Sequence, residues 1–308
     1  MKGIHLLLIL VAVFTSGLSA CDAKPAAPEV PAGLTVLVAE SFLADIVQNV
    51  AGGQATVQTL VPAGSDPHAF QATPQDIARI ENADLFVVNG GGLEEWLEPL
   101  MGDGFSTTIV AASEGLDPIV REHAGDETHG HEEGDPHFWL DPTFVVQYVR
   151  NIQAALTRAD PAGASVYEQN AANYIQELVL LDEWITKQTT LVPTENRILV
   201  TNHESLGYFA NRYGFTVAGA VIPSVSSSAT TSAADLSALV DIIAKYSIKA
   251  IFIETGANSN LAEQIARETG IAVVDDIYTH SLTGPDSKAP TYIEMMKYNT
   301  SRIVDTLK

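Results

Sequence analysis

The chain has 308 residues, of which 38 are acidic and 16 basic, giving a formal net charge of −22, and 46% of it is apolar. That is enough apolar material for one or two packed cores, which excludes disorder of the whole chain. The charge argues against nucleic acid or an anionic membrane surface as partner, and a single cysteine excludes a disulfide framework or a thiolate cluster, so any metal site must be built from nitrogen and oxygen.

The N-terminus reads as a secretory signal. Lys2 is followed by an apolar run from Ile4 to Phe14, broken only by His5, and then by Leu18-Ser19-Ala20-Cys21. The run is too short to span a bilayer, and it has a small-residue exit. A cysteine directly after small residues matches a bacterial lipobox, in which Cys21 carries the lipid; the alternative is an ordinary signal with an incidental cysteine. With residues 1–20 removed, residues 21–33 hold three prolines and form a semi-rigid tether. No later segment approaches the roughly 20 apolar residues of a membrane span. The expected mature protein is therefore a lipid-anchored body in the periplasm or on the outer face of the cell membrane.

From residue 34 onward strand-like and helix-like patterns alternate. Strands are predicted over 34–39, 56–61, 85–88 and 107–111, with helices over 42–50, 74–82 and 93–100 between them. After residue 193 the rhythm repeats, with strands over 198–200, 215–221, 248–253 and 271–274. The helices there cover 205–213, 234–246, 261–269 and 292–307, with Gly214 and Gly270 as C-caps. Short buried strands alternating with helices indicate parallel sheet covered on both faces. Between the halves, Tyr167, Ala171, Tyr174, Leu178, Leu181 and Ile185 recur at helical spacing with no glycine or proline from Ala164 to Val192. That predicts one helix of about 40 Å, either a strut between lobes or a long surface helix of a single domain. The fold class is thus α/β: an N-terminal lobe over 34–162, a linking helix over 163–192 and a C-terminal lobe over 193–308. A ligand cleft is expected at the carboxyl ends of the strands.

Seven histidines follow the signal. His68, His137, His203 and His280 each come after a strand-and-turn pattern, and the tripeptide Asp-Pro-His occurs twice, at His68 and at His137. Proline restricts its own φ and the residue before it, which pre-orients the histidine that follows. Two imidazoles from each lobe let a metal bridge the cleft, and four nitrogen donors suit tetrahedral Zn²⁺. The competing reading of each is a plain surface histidine after a turn.

The stretches GSDPHAFQATPQDIARIENADLFVVNGGGLEEWLEPL, DPHFWLDP, TNHESLGYFANRYGF and APTYIEMMKYN resemble, in order, the zinc/manganese-binding subunits of bacterial ABC importers, the cluster A-I solute-binding lipoproteins. The resemblance covers roughly residues 34–308. It implies two α/β lobes joined by a rigid helix, one metal in the cleft, and delivery to a membrane permease driven by a cytoplasmic ATPase. It also implies ligands at His68 and His137 from the first lobe and His203 from the second, with an aspartate as the usual fourth. Here that place falls on His280, with Asp275 and Asp276 just upstream as alternative ligands; water is a third possibility. Imidazole donors favour Zn²⁺ over Mn²⁺. The protein is expected to be a monomer.

Residues 112–136 hold eight acidic groups, three histidines and one basic residue, Arg121, with no hydrophobic period. This reads as a loop in which His123, His129 and His131 capture metal near the cleft, or else as a solvated acidic loop. Gly90-Gly91-Gly92 is not a phosphate loop, because no lysine and no Ser/Thr follow it as that motif requires. A zinc-dependent hydrolase is the chief alternative, with Glu204 as base. However, HESLG lacks the second histidine of HExxH, and four protein ligands leave no open coordination position. The chain is therefore read as a binding protein and not an enzyme. A manganese-binding, adhesin-like or metal-chaperone lipoprotein on the same fold is the other alternative.

Overall fold

The computed structural model describes residues 33–100, 106–120 and 134–308; the signal segment, Cys21, His123, His129 and His131 lie outside the described residues. Among the described residues no helix is long and apolar enough to cross a membrane.

Strands β1 (Leu34–Val38), β2 (Ala55–Thr59), β3 (Leu85–Val88) and β4 (Thr108–Ala111) form one sheet in the order β2-β1-β3-β4, all parallel. The central strand β3 is Leu-Phe-Val-Val and is buried along its whole length, whereas the edge strand β2 alternates between half-buried and exposed positions. Strands β5 (Ile198–Thr201), β6 (Thr216–Ala220), β7 (Ala250–Glu254) and β8 (Ala272–Ile277) repeat the arrangement as β6-β5-β7-β8, again parallel. In each sheet the strand order reverses beside its first strand. The crevice that this reversal opens lies at the strands' carboxyl ends.

Eight α-helices connect and cover the sheets: α1 (Ser41–Ala51), α2 (Pro74–Glu81), α3 (Pro142–Ala159), α4 (Ala164–Thr189), α5 (Gly207–Tyr213), α6 (Ala233–Tyr246), α7 (Asn260–Thr269) and α8 (Tyr292–Leu307) among the described residues. Their ends are fixed locally. Thr73 with Asp76 and Ser232 with Asp235 form capping boxes at α2 and α6. Gly214 (φ 73°) and Gly270 (φ 76°) end α5 and α7 in the left-handed conformation that favours glycine.

Helix α4 has 26 residues, about 39 Å at 1.5 Å per residue. Its stripe from Tyr167 to Ile185 is buried, and it packs against α1 and α3 of the first lobe and α8 of the second. The largest core cluster runs unbroken from Val36 to Leu307 through this helix, so both sheets rest one face on a shared core. The opposite faces carry separate small cores, that of the first sheet including Ile80 of α2 and that of the second including Leu239, Ile243 and Ile265 of α6 and α7.

Three segments depart from the sequence-based expectation. The segment 93–100 forms a 3-10 run from Glu95 to Leu100, with Pro99 inside it lacking the N–H that an α-helix would use. The helix expected from Ser205 begins only at Gly207, because the residues before it turn: Glu204 N–H donates to Ser224 O and Ser205 N–H to His203 O. Helix α3, which the strand-helix alternation leaves unassigned, starts at Pro142 behind an Asp141 N-cap.

Candidate metal centre

His68 lies in a 3-10 turn after β2, His137 after β4, His203 two residues beyond β5 and His280 three residues beyond β8. His203 and His280 therefore sit where the chain leaves the carboxyl end of a strand, whereas His68 follows β2 by nine residues and His137 follows β4 by 26.

The ligating atoms of His68, His137, His203 and His280 all lie within 4.8 Å of one another. His137 is at the centre: its Nε2 is 3.3 Å from His68 Nε2, 3.3 Å from His203 Nε2 and 3.1 Å from His280 Nε2. A tetrahedron of nitrogens around zinc, at about 2.0–2.1 Å each, has an edge of about 3.3 Å. His137, His203 and His280 are buried and His68 is half-buried. Trp139 walls the site, its ring 5.2 Å from that of His137 and 5.9 Å from that of His280.

Three of the ring nitrogens facing away from the cluster have polar neighbours. Asp135 Oδ1 accepts from His137 Nδ1 at 2.8 Å and from the His137 backbone N–H at 3.0 Å. Glu254 Oε1 lies 3.1 Å from His203 Nδ1 and accepts from Ser205 Oγ at 3.0 Å. The Thr279 hydroxyl lies 2.9 Å from His280 Nδ1. A carboxylate only accepts, so it holds the proton on Nδ1 and leaves an Nε2 lone pair aimed into the cluster. The carboxylates thus aim lone pairs of His137 and His203 at the other two imidazoles, a set of nitrogen donors that a cation can bridge.

Titration follows the same geometry. Burial, helped by the neighbouring His203, lowers His68 to about 4. Burial and the other three histidines push His280 well below the ordinary imidazole value. Burial also opposes charge on His203, but Glu254 together with Asp66 and Asp135 outweighs it and holds that imidazole above its ordinary value.

The Asp-Pro-His repeat has a physical role beyond the proline. In both copies the aspartate side chain accepts the histidine's backbone N–H, Asp66 from His68 and Asp135 from His137, each at 3.0 Å. Asp135 was thus legible in the tripeptide. Glu254 left one signal, a charge closing the otherwise apolar strand Ala-Ile-Phe-Ile-Glu. The alternative ligands Asp275 and Asp276 do not join the cluster. Asp275 is exposed, and Asp276 is held by Arg302 Nε at 2.8 Å, Lys288 Nζ at 3.3 Å and the Tyr298 hydroxyl. Glu204 is not in the cluster either.

The first sheet places a different pair at the matching crevice. Glu40 stands two residues beyond β1, as His203 stands two beyond β5, and it is 1% exposed. Its neighbour Glu94 accepts from Asn89 N–H at 2.6 Å and Gly90 N–H at 3.0 Å. Burial, with Glu94 beside it, pushes Glu40 well above the carboxylate range, and burial lifts Glu94 to about 7 against those amides.

A family model described as the periplasmic zinc-uptake complex component A matches residues 36–306. The chain is 34% identical over 300 residues to a manganese-binding lipoprotein of Halalkalibacterium halodurans, covering 97% of this chain and 96% of the relative. It is 30% identical over 315 residues to a metal ABC transporter substrate-binding lipoprotein of Streptococcus cristatus, covering 100% and 99%. Among solved structures, the Mn-bound periplasmic metal-binding protein of Candidatus Liberibacter asiaticus superposes with a TM-score of 0.78 at 32% identity, covering 89% of this chain and 100% of that one. The periplasmic zinc-binding protein TroA of Treponema pallidum gives 0.79 at 28% identity, covering 89% and 99%.

Proposed function

The chain belongs to the periplasmic zinc-uptake complex component A family, and from that premise we propose that it captures Zn²⁺ through His68, His137, His203 and His280 and hands it to a permease. The coarser statement needs no proposal. This is an extracytoplasmic substrate-binding protein of a metal ABC transporter, not an enzyme, and its cargo is a divalent metal. A permease and its ATPase follow as partners of such a protein.

The observation that carries zinc is the donor set: four imidazoles converge, and among the described residues no carboxylate joins them. Manganese prefers carboxylate and water, while imidazole suits zinc. Manganese is the second reading, favoured by the names of the relatives from H. halodurans and the Mn-bound neighbour. Lipid attachment at Cys21 and a monomeric state belong to the proposal, as does metal capture by His123, His129 and His131.

Competitive titration of metal-stripped protein with Zn²⁺ and Mn²⁺ tests the assignment. Zinc is expected to displace manganese at equal concentration. If manganese holds the site against zinc, the second reading replaces the first.

A further inference from the structure

We infer that Tyr208 is a positioning residue for the metal, acting from the second lobe through Asp135 to hold His137 in register with His203. The inference rests on the reading that these histidines bind metal. Tyr208 is the second residue of α5, the helix that follows the His203 turn, so its backbone moves with that ligand's segment. Its hydroxyl donates to Asp135 O at 2.6 Å and accepts from Ile119 N–H at 3.0 Å. Asp135 N–H in turn donates to Ile119 O at 2.9 Å, which closes a knot of three residues. The Tyr208 ring lies 4.9 Å from Phe138 and 5.6 Å from Phe144.

Tyr208 therefore grips both sides of His137. It bonds the backbone of Asp135, whose carboxylate sets the His137 tautomer, and it packs on Phe138, the next residue along. The hydroxyl is buried, with the residue 2% exposed. Removing it leaves the Asp135 carbonyl without this donor and frees the turn that aims His137. Partners of this kind commonly change metal affinity by about 10–100-fold, because they orient the ligand rather than touch the ion.

Tyr208→Phe keeps the ring and removes the hydroxyl. Tyr213→Phe is the control, since Tyr213 is a buried tyrosine on the same helix whose hydroxyl donates to Asp182 at 3.0 Å instead. Zinc affinity is measured by chelator competition for wild type, both variants, Asp135→Asn and the Tyr208→Phe/Asp135→Asn double variant. Tyr208→Phe is expected to weaken zinc binding about 10-fold and Tyr213→Phe to leave it unchanged. The double variant should lose less than the product of its single losses, because both act through one ligand. Wild-type affinity in Tyr208→Phe, or losses that multiply, overturns the inference while leaving the metal centre standing. A wild-type protein that takes up no zinc overturns the zinc reading first, and this one with it.

Discussion

His137 Nδ1 lies 2.8 Å from Asp135 Oδ1, and through that contact its Nε2 presents a lone pair to three other imidazole nitrogens at 3.1–3.3 Å. The carboxylate is buried and two residues away in sequence, so the nearest restraint on the central ligand is local. Asp135→Asn is expected to lower zinc affinity about 10–100-fold, short of the loss from His137→Ala. Calorimetry on the two variants checks the order. Equal affinity for Asp135→Asn and wild type would show that the carboxylate does not act on the metal.

The fourth donor is open to direct comparison. His280 joins the cluster, whereas Asp276 is committed to Arg302, Lys288 and Tyr298 on the face toward α8. His280→Ala is expected to weaken zinc binding sharply, and Asp276→Ala to leave it unchanged. His280→Asp should narrow the preference for zinc over manganese, since a carboxylate donor suits manganese better. A zinc-to-manganese affinity ratio unmoved by His280→Asp would remove His280 from the site.

Much of this was legible in the sequence, and the reasons differ by element. Strand and helix order followed from alternation of short apolar runs with helical spacing, and the α4 stripe from Tyr167 to Ile185 was readable because nothing interrupts it. Helix α3 has the same kind of stripe, with Val145, Tyr148, Val149 and Ile152 buried. The strand-helix alternation assigned nothing to this segment, since α3 follows the loop after β4 rather than a strand. The four histidines could be picked out by their common position after strands, but their convergence depends on how two crevices meet. No local pattern encodes that. Glu254 and Tyr208 act across 51 and 73 residues of chain, on His203 and Asp135 respectively, so only the folded geometry reveals their partners.

Metal uptake should fall as pH falls, and the order of protonation can be stated. Glu254 together with Asp66 and Asp135 holds His203 above the ordinary value of 6.5, while His68 is lowered to about 4 and His280 well below its ordinary value. His203 is thus the first of these three to take a proton, and zinc must compete with it from above pH 6.5 downward. For the metal-free fold the signs divide. The raised His203 adds stability below the unfolded value of 6.5 that is lost as pH rises through its folded value. The lowered His68 and His280 favour the fold while neutral, and that support is lost as pH drops below 6.5. Glu254→Gln should weaken zinc binding at pH 8 yet move the onset of acid loss to lower pH. A titration series from pH 8 to 5.5 reads both, and an unmoved onset would count against the Glu254–His203 contact.

Metal should also stabilise the fold, because donors from both lobes meet at one ion. Zinc at about 100 times its dissociation constant adds about 2.7 kcal/mol. At about 2–4 °C per kcal/mol for a chain of this size, the melting temperature should rise by about 5–11 °C. Scanning calorimetry with and without zinc, and again after adding a chelator, measures the shift. The His68→Ala/His203→Ala variant should show none of it.

The Glu40–Glu94 pair makes a prediction of the opposite kind, in which removing a charge helps. Glu40 is buried against a second carboxyl group, and both are lifted, Glu94 to about 7. A carboxyl whose folded value is raised supports the fold fully below its unfolded value of 4.5, and that support is lost as pH rises toward the folded value. Glu40→Gln replaces the ionisable group with an amide of similar shape that can donate to Glu94 at every pH. Its melting temperature is expected to match wild type near pH 4.5 and to exceed it at pH 8, by about 2–4 °C for each kcal/mol gained. Melting curves across that range test it. A variant less stable than wild type at pH 8 would count against the raised Glu40 carboxyl.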